Sequence, residues 1–286
     1  MMSVIKILKC IFNSSQRRKI RRIKRKSVNS IMSLFIKKKS LSMMSVFFTE
    51  KFGLKKGDTI IVTSSFANLN ADFSPEELIL LLQQIVGYDG LILMPYYPNI
   101  NSTEFVKKGK EFDMLNTPSG MGILTNVFSK MPNVYMSHHP IKAVCAWGSR
   151  ASAIIANHHL TDTPFDISSP YGKILFADRS FSVGIGATQL PMFHAIEDFF
   201  LHYYMYLDDV YSVSFIDDNN NMIKINTRVH DENIISKMIA ISEYVRNLNC
   251  KSYKRFHLGY SYSYIIENKD LFQTCETEFL KNGKLR

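Results

Sequence analysis

The chain has 286 residues, of which 46 % are hydrophobic and 12 % aromatic, so it can bury a sizeable core and is neither disordered throughout nor fibrous. No apolar run reaches the roughly 18 residues of a membrane-spanning helix, and the four cysteines are too scattered for a zinc ribbon or a disulfide framework. The net charge of +10 arises at the start: residues 1–44 hold 13 Lys or Arg and no Asp or Glu, and residues 45–286 carry a net charge of −3. We therefore expect a basic leader, residues 1–44, and one α/β domain, residues 45–286, in a reducing cytoplasm.

The leader combines apolar residues at helical spacing over residues 5–12 with eight Lys or Arg between residues 17 and 26. This pattern is typical either of a disordered tail or of an amphipathic helix that binds anionic lipid at the inner face of a membrane. Within residues 1–44 only Phe12 and Phe35 are aromatic, whereas proteins that bind single-stranded nucleic acid interleave aromatic and basic side chains. Peripheral membrane contact through residues 1–44 is therefore one alternative, and no nucleic-acid partner is expected.

The domain begins with the pattern strand, helix, strand. Residues 58–63 contain the apolar run Ile60-Ile61-Val62 and have the pattern of a buried strand. Ser74 is a natural N-cap, and Glu77, three residues later, completes a capping box that opens a helix ending near Gly87. Residues 91–94 form the next predicted strand. These elements within about 40 residues predict a parallel βαβ unit.

The later elements follow the same alternation. Further buried strands are predicted at residues 134–136, 143–147 and 182–186, and helices at residues 121–128, 149–156 and 193–207. A polar turn between residues 213–215 and 222–225 predicts a hairpin, and a helix over residues 232–247 follows it. The predicted fold class is thus α/β, with a mostly parallel central sheet flanked by helices and a C-terminal hairpin and helix.

Several short loops that contain small polar residues, proline or glycine follow the predicted strands. They are Ser64-Ser65, Pro95-Tyr96-Tyr97-Pro98, His138-His139-Pro140 and Gly184-Ile185-Gly186. Because ligands of parallel α/β folds bind outside the carboxyl ends of the strands, these loops predict one shared site. Gln189 replaces the third glycine of a dinucleotide-binding loop, so a Rossmann cofactor is not expected. His139 fits either the mouth of this site or a turn in which it bonds to the backbone.

His194 follows the last buried strand, and Glu197 and Asp198 lie three and four residues further on. On a helix these spacings bring a carboxylate beside the imidazole, where it fixes the tautomer and leaves the second nitrogen free to accept a proton. The same spacing also fits an incidental ion pair near a helix end. No metal site is predicted, because no further ligands cluster with these residues.

Short motifs recur in a definite order between residues 57 and 200. They are Gly57-Asp58, Val62-Thr63-Ser64-Ser65-Phe66, Leu91-Ile92-Leu93-Met94-Pro95, Thr117-Pro118-Ser119-Gly120-Met121-Gly122, His139-Pro140, Ser169-Pro170-Tyr171-Gly172-Lys173, Gly184-Ile185-Gly186 and His194-Ala195-Ile196-Glu197. In order and spacing they resemble the aminoglycoside 3-N-acetyltransferases, also called the antibiotic N-acetyltransferase family. The resemblance implies an α/β fold distinct from the common small N-acetyltransferase fold. It also implies an enzyme that uses acetyl-coenzyme A to acetylate an amino group of an aminoglycoside or other amino sugar.

The resemblance further implies roles for individual residues. His194 is expected to be the general base of a direct acetyl transfer, oriented by Glu197. Contacts with the coenzyme are expected from Ser64, Ser65, Met121, Gly122, His139 and Ser169, and contacts with the acceptor from Tyr96 and Asp198. Backbone N–H groups near Ser65 or Gly186 are expected to stabilise the tetrahedral oxyanion.

Four sites depart from the family pattern: Thr63 where His is usual, Tyr96 and Tyr97 where a Thr-containing turn is usual, Ala143 where Ser or Thr is usual, and Asp166-Ile167 where Gly-Glu is usual. These departures leave open a non-catalytic homologue that binds coenzyme A or a sugar. The leader leaves open an acetyltransferase of surface-polysaccharide biosynthesis with a membrane-bound acceptor. Since aminoglycosides are polycations, an acidic pocket is needed to bind them. The candidates for it are Asp208, Asp209, Asp217 and Asp218.

Overall fold

The computed structural model describes residues 36–286. Within this range no helix is both long enough and apolar enough to span a membrane. The strands are β1 (Thr59–Ser64), β2 (Leu91–Tyr96), β3 (Phe112–Asp113), β4 (Val134–Met136), β5 (Ala143–Trp147), β6 (Ser180–Ile185), β7 (Tyr211–Ile216), β8 (Met222–Thr227), β9 (Lys254–Leu258) and β10 (Ser261–Glu267). The α-helices are α1 (Leu41–Val46), α2 (Pro75–Val86), α3 (Ser102–Lys107), α4 (Ile123–Phe128), α5 (Ala151–Ile155), α6 (Pro170–Leu175), α7 (Met192–Leu201), α8 (Glu232–Ile235), α9 (Ile241–Asn247) and α10 (Asn268–Asn282).

The predicted βαβ unit is confirmed. Helix α2 begins with the predicted capping box: the N–H of Glu77 donates to Oγ of Ser74 at 3.1 Å, and the N–H of Ser74 donates to Oε2 of Glu77 at 2.7 Å. The helix ends at Gly87, whose φ of 68° suits glycine. Strands β1 and β2 then pair in parallel, with Thr59 opposite Leu91.

Seven strands form one sheet, in the order β4-β5-β2-β1-β6-β10-β9. The centre of this sheet is parallel, because β1 pairs in parallel with both β2 and β6. Strands β5 and β10 run antiparallel to both of their neighbours, so five of the seven strands point in one direction. The predicted α/β class is confirmed, with antiparallel pairs at both flanks. The predicted hairpin, β7 and β8, lies in a separate three-stranded sheet with β3.

The large sheet separates two hydrophobic cores, because alternate side chains of a strand face opposite sides. Ile60 and Val62 of β1 belong to one core together with the apolar face of α2. Ile61 belongs to the other core, with Phe193 of α7 and Leu271 of α10. A strand buried on both faces fits the centre of a sheet covered by helices. Two layers of helices therefore hold the carboxyl ends of β1 and β6 in a fixed relation.

Some predicted helices differ from the observed ones. The helix predicted over residues 193–207 ends at Leu201, because His202 has a positive φ of 46° that breaks the helical path. The helix predicted over residues 232–247 is two short helices, α8 and α9, since Ala240 is extended with ψ of 135°. Strands β9 and β10 and helix α10 were not predicted. Strand β10 completes the sheet by pairing antiparallel with β6.

The predicted leader is described only from residue 36 onward, and its amphipathic stretch lies outside the described residues. Helix α1 spans the expected boundary between residues 44 and 45, and Met44 is fully buried. Ser40 caps this helix by accepting from the N–H of Met43 at 3.3 Å. The N–H of Lys39 donates to the carbonyl of Asn70 at 2.8 Å. The chain is thus joined to the folded domain from Lys39 onward.

Candidate active site

His194 lies near the start of α7, which follows the carboxyl end of β6. Its Nδ1 atom is 2.8 Å from Oε2 of Glu197, one helical turn further on. The second carboxylate oxygen, Oε1, accepts from Nε of Arg286 at 2.6 Å, and Nη1 of Arg286 donates to the carbonyl of Ile239 at 2.6 Å. These contacts form a continuous series of charge-assisted hydrogen bonds. We call His194, Glu197 and Arg286 the His–Glu–Arg chain.

The His–Glu–Arg chain is buried at its centre. The side chain of Glu197 is completely inaccessible and that of Arg286 is 2 % exposed. Burial raises the pKa of Glu197, but the hydrogen bonds and charges of His194 and Arg286 outweigh burial and hold this pKa below its ordinary value. Glu197 is therefore a carboxylate at neutral pH. A carboxylate beside Nδ1 keeps the proton on that nitrogen and leaves Nε2 as the acceptor.

The other side of His194 opens into a cavity. The His194 side chain is 22 % exposed and lines a cavity of about 610 Å³, together with Tyr97, Lys142, Gln189 and Arg286. We call this space the His194 cavity. The imidazole of His194 makes no hydrogen bond through Nε2 to any other residue within 36–286. A molecule bound in the cavity would thus meet a nitrogen that can take up a proton.

A smaller cavity of about 310 Å³ lies beside it, which we call the serine cavity. The two share Met121 and Gln189 in their walls. Ser64, Ser65 and Gly122 also line the serine cavity. Gly122 has a φ of +112°, and within 4 Å a Cβ there would meet only the carbonyl oxygen of Ser64, at 3.5 Å. The structure thus brings Ser64, Ser65, Met121 and Gly122, four of the six residues predicted to contact the coenzyme, together next to His194.

The loop between β6 and α7 lines both cavities through Gln189 and is fixed by hydrogen bonds from other parts of the chain. The carbonyl of Gln189 accepts from Oγ1 of Thr63 at 2.8 Å and from the hydroxyl of Tyr264 at 2.5 Å. Thr63 is one of the departures from the family pattern, and here its hydroxyl holds the loop in place.

The backbone N–H groups of Ser65 and Gly186, the two residues near which the oxyanion was expected, are used within the fold. The N–H of Gly186 donates to Oγ of Ser263 at 2.9 Å. The N–H of Ser65 donates to the carbonyl of Ile185 at 2.9 Å. An N–H with a good partner is not free to bind a developing negative charge, so these two groups are not available. The expectation for the neighbouring N–H groups stays a prediction.

Two further predicted residues are buried away from both cavities. Tyr96 donates from its hydroxyl to the carbonyl of Thr117 at 2.8 Å, whereas the adjacent Tyr97 lines the His194 cavity. Ser169 is the N-cap of α6 and accepts from the N–H of Gly172 at 3.2 Å. Both side chains therefore stabilise the loops in which they lie, and the structure brings neither to His194.

His139 occupies the turn before β5. Its Nδ1 accepts from the N–H of Lys142 at 3.1 Å, and its Nε2 lies 3.3 Å from Oγ1 of Thr227. Burial, reinforced by the charges of His158 and Lys142, holds the pKa of His139 well below its ordinary value. This geometry corresponds to the turn interpretation, in which a neutral His bonds to the backbone.

Asp198 makes no hydrogen bond to His194 and lines neither cavity. Its carboxylate accepts from Oγ1 of Thr163 and from the hydroxyl of Tyr206, the latter at 2.6 Å. Burial raises the pKa of Asp198 to about 7, even though both hydrogen bonds oppose this shift. Of the two carboxylates that the sequence placed near His194, the structure therefore pairs Glu197 with it.

Tyr97, Lys142 and Arg286 line the site but were not predicted. The Lys142 ammonium lies 4.3 Å from the centre of the Tyr97 ring, and burial lowers its pKa to about 8. Arg286 is 89 positions from Glu197, so no sequence spacing connects the two. For Tyr97 a signal did exist, because it belongs to the loop after β2 that was expected to reach the site.

Two other expectations concern ligands of the site. Among residues 36–286, no group of three or more His, Cys, Asp or Glu side chains is arranged to hold a metal ion. The aspartates proposed for an acidic pocket line neither the His194 cavity nor the serine cavity. Asp217, for example, accepts from the N–H of Asn221 at 2.7 Å within the β7–β8 turn.

The chain is similar to known proteins in sequence. A family model described as aminoglycoside 3-N-acetyltransferase matches residues 61–279. The SPbeta prophage-derived aminoglycoside N(3')-acetyltransferase-like protein YokD of Bacillus subtilis (strain 168) is 27 % identical over 154 residues, which are 47 % of this chain and 56 % of YokD. The chain spans about half the length of the curated relatives it matches.

Two solved structures share the fold. AAC-VIa bound to sisomicin superposes with a TM-score of 0.70 at 19 % identity, covering 87 % of this chain and 100 % of that chain. The binary complex of AAC-IIIb with CoASH superposes with a TM-score of 0.68 at 18 % identity, covering 86 % and 97 %. The predicted α/β fold, distinct from the common small N-acetyltransferase fold, is confirmed.

Proposed function

The chain belongs to the aminoglycoside 3-N-acetyltransferase family, and from this premise we propose that it transfers an acetyl group from acetyl-coenzyme A to the amine of an aminoglycoside or other amino sugar. The observation that carries the proposal is the position of His194. Its Nδ1 is held by a buried carboxylate, and its imidazole lines a cavity that adjoins a second one with small residues in its walls.

The serine cavity fits the pantetheine end of a coenzyme. Ser64, Ser65 and Gly122 present small side chains and backbone there, and a side chain at position 122 would extend into the space. Glycine and serine let a ligand approach the backbone closely. Acetyl-coenzyme A, when bound, supplies an acetyl group activated as a thioester. Met121 and Gln189, which line both cavities, mark where the thioester and the acceptor would meet.

The residues of the His–Glu–Arg chain have distinct roles in this mechanism. Nε2 of His194 takes the proton that the acceptor amine loses as its nitrogen forms the new bond to the acetyl carbon. Glu197 stabilises the imidazolium that results, because its carboxylate accepts from Nδ1 at 2.8 Å. Arg286 holds Glu197 in its rotamer from the opposite side. His194 would then return this proton to the coenzyme sulfur, whose bond to the acetyl carbon breaks, so that a neutral thiol is released.

The test is release of free thiol from acetyl-coenzyme A in the presence of aminoglycosides and simple amino sugars. His194→Ala is expected to lower turnover by about 10²–10⁴-fold. His257→Ala, at an exposed position on β9, is the matched control and is expected to retain turnover. Wild-type turnover in His194→Ala would refute the assignment of the base. Coenzyme binding without turnover on any amine would favour the non-catalytic homologue.

A second candidate function rests on the charge of the leader. We infer that its 13 Lys or Arg side chains, unopposed by Asp or Glu, bring the enzyme to an anionic membrane surface, as in an acetyltransferase of surface-polysaccharide biosynthesis. The full chain is expected to sediment with vesicles that contain phosphatidylglycerol but not with neutral vesicles. Replacing the eight cations of residues 17–26 by Gln is expected to abolish this binding. Equal binding to neutral vesicles would exclude the electrostatic interpretation.

A further inference from the structure

The His194 cavity has an unexpected charge for an enzyme whose relatives acetylate polycations. Among the described residues in its wall, Lys142 and Arg286 carry charge and no Asp or Glu is present. The serine cavity has no charged side chain in its described wall. A bound polycation would therefore place its ammonium groups near Lys142, with no Asp or Glu side chain in the described wall to attract them, an arrangement that like-charge repulsion disfavours.

Arg286 has an unused donor at this site. Its Nε pairs with Glu197 and its Nη1 with Ile239, but its Nη2 is buried and has no hydrogen-bond partner within residues 36–286. Buried donors without a partner are rare and costly. Glu197 cannot satisfy this donor as well, since its two oxygens already accept from His194 and Arg286 Nε. Because the guanidinium is buried, Arg286 holds Glu197 in place and leaves Lys142 as the accessible cation of the cavity wall.

Lys142 is the second cation in the wall of the His194 cavity. Within the described chain, no Asp or Glu lies within salt-bridge distance of its ammonium, which instead lies over the Tyr97 ring. Glu197 offsets the charge of Arg286, so the charge of Lys142 remains uncompensated beside His194.

The positive character continues beyond the His194 cavity. An adjoining cavity of about 690 Å³ shares Met238 and Arg286 with it and adds Lys237 and Lys284. No Asp or Glu lies in the described wall of this third cavity. The cations therefore form a path that starts at His194 and runs past Arg286, which suits a ligand with its negative charge at a distance from its reacting amine.

We propose that the acceptor is an amino sugar that carries an oxyanion, either a phosphate or a carboxylate. Its negative charge is bound by the Lys142 ammonium while its amine faces Nε2 of His194. Guanidinium and ammonium groups are the side chains that proteins use to bind these oxyanions. This inference rests on the proposed acetyltransferase function and narrows its acceptor class.

The first experiment compares kcat/KM for glucosamine, glucosamine 6-phosphate, muramic acid and sisomicin. The anionic acceptors are expected to exceed glucosamine by about 10- to 100-fold, the effect of one charge-assisted hydrogen bond. Comparing glucosamine 6-phosphate with muramic acid shows whether a phosphate or a carboxylate is preferred. Sisomicin or glucosamine as the best acceptor would overturn this inference and leave the acetyltransferase function intact.

Binding is measured in parallel, so that the inference is testable without turnover. Glucosamine 6-phosphate or muramic acid is expected to raise the melting temperature more than glucosamine does, and added salt is expected to weaken the effect. Absence of thiol release with every acceptor would refute the acetyltransferase function. Equal thermal shifts from charged and uncharged sugars would refute the oxyanion site itself.

Variants at position 142 separate acceptor binding from coenzyme binding. In Lys142→Met the preference for anionic acceptors is expected to fall close to one, and Lys142→Arg is expected to restore it. Lys224→Met, on the exposed β7–β8 hairpin, is the matched control. A rise in the KM for acetyl-coenzyme A, without a rise in the KM for the acceptor, would assign these cations to the phosphates of the coenzyme and overturn the proposal.

Discussion

Replacing Glu197 by Gln tests the centre of the site, because glutamine keeps the shape of the side chain and removes its charge. In one orientation of the amide, its N–H groups face the guanidinium of Arg286, donor against donor. In the other orientation they face Nδ1 of His194, which must then give up its proton, so that Nε2 carries it and can no longer act as base. Either orientation lowers turnover, and we expect a loss of about 10²–10⁴-fold.

The cost in stability follows from the burial of the pair. Glu197 is inaccessible and Arg286 is 2 % exposed, so water cannot replace the lost carboxylate. Removing one partner of a buried ion pair typically costs about 3–5 kcal/mol, which in a domain of this size lowers the melting temperature by about 6–20 °C. The exposed pair of Glu104 and Lys108, at 2.7 Å, provides a comparison, since Glu104→Gln is expected to cost about 0.5 kcal/mol or less.

The assay is a double-mutant cycle of Glu197→Gln and Arg286→Met, followed by urea unfolding and by thiol release well below the melting temperature. Removing both partners is expected to recover at least half of the stability lost in Glu197→Gln, because no unpaired cation remains buried. Turnover is expected to stay low in the double variant. If the two stability losses simply add, to within about 0.5 kcal/mol, Arg286 does not depend on Glu197 and the reasoning fails.

Three further predictions follow from the same geometry. Gly122→Val is expected to abolish coenzyme A binding by calorimetry, whereas Gly57→Val, with a φ of +85° and no atom within 4 Å of a Cβ, is expected to retain it; equal losses would indicate backbone strain alone. Thr63→Val is expected to cost about 1 kcal/mol in urea unfolding and to raise the KM for both substrates by loosening the Gln189 loop; an unchanged KM would separate the hydroxyl from the site. The pKa of Asp198 is raised to about 7, so the folded protein holds an extra proton between the ordinary value of 3.8 and pH 7, and the contribution of Asp198 to stability falls as pH rises through this window. The stability of Asp198→Asn relative to wild type is therefore expected to increase from pH 5 to pH 8, and a pH-independent difference would contradict the shift.

The accuracy of the sequence predictions followed the range of the interactions involved. The capping box at Ser74 and Glu77 was predictable because it joins residues three positions apart. The pairing of His194 with Glu197 was predictable for the same reason. Asp198, at an equally suitable spacing, instead bonds to Thr163 and Tyr206. The choice between the two carboxylates depended on which face of α7 packs against the rest of the fold.

The sequence by itself determined the α/β class, the central parallel strands, and the loops around Ser64 and Gly122 that form the serine cavity, because strand periodicity, caps and short motifs are local properties. Tertiary structure alone decided what faces His194. Arg286 reaches Glu197 from 89 positions away, and Lys142 enters the cavity because the turn at His139 directs it there. The sign of charge in a cavity depends on side chains from distant segments, and only the packing of the two cores brings those segments together.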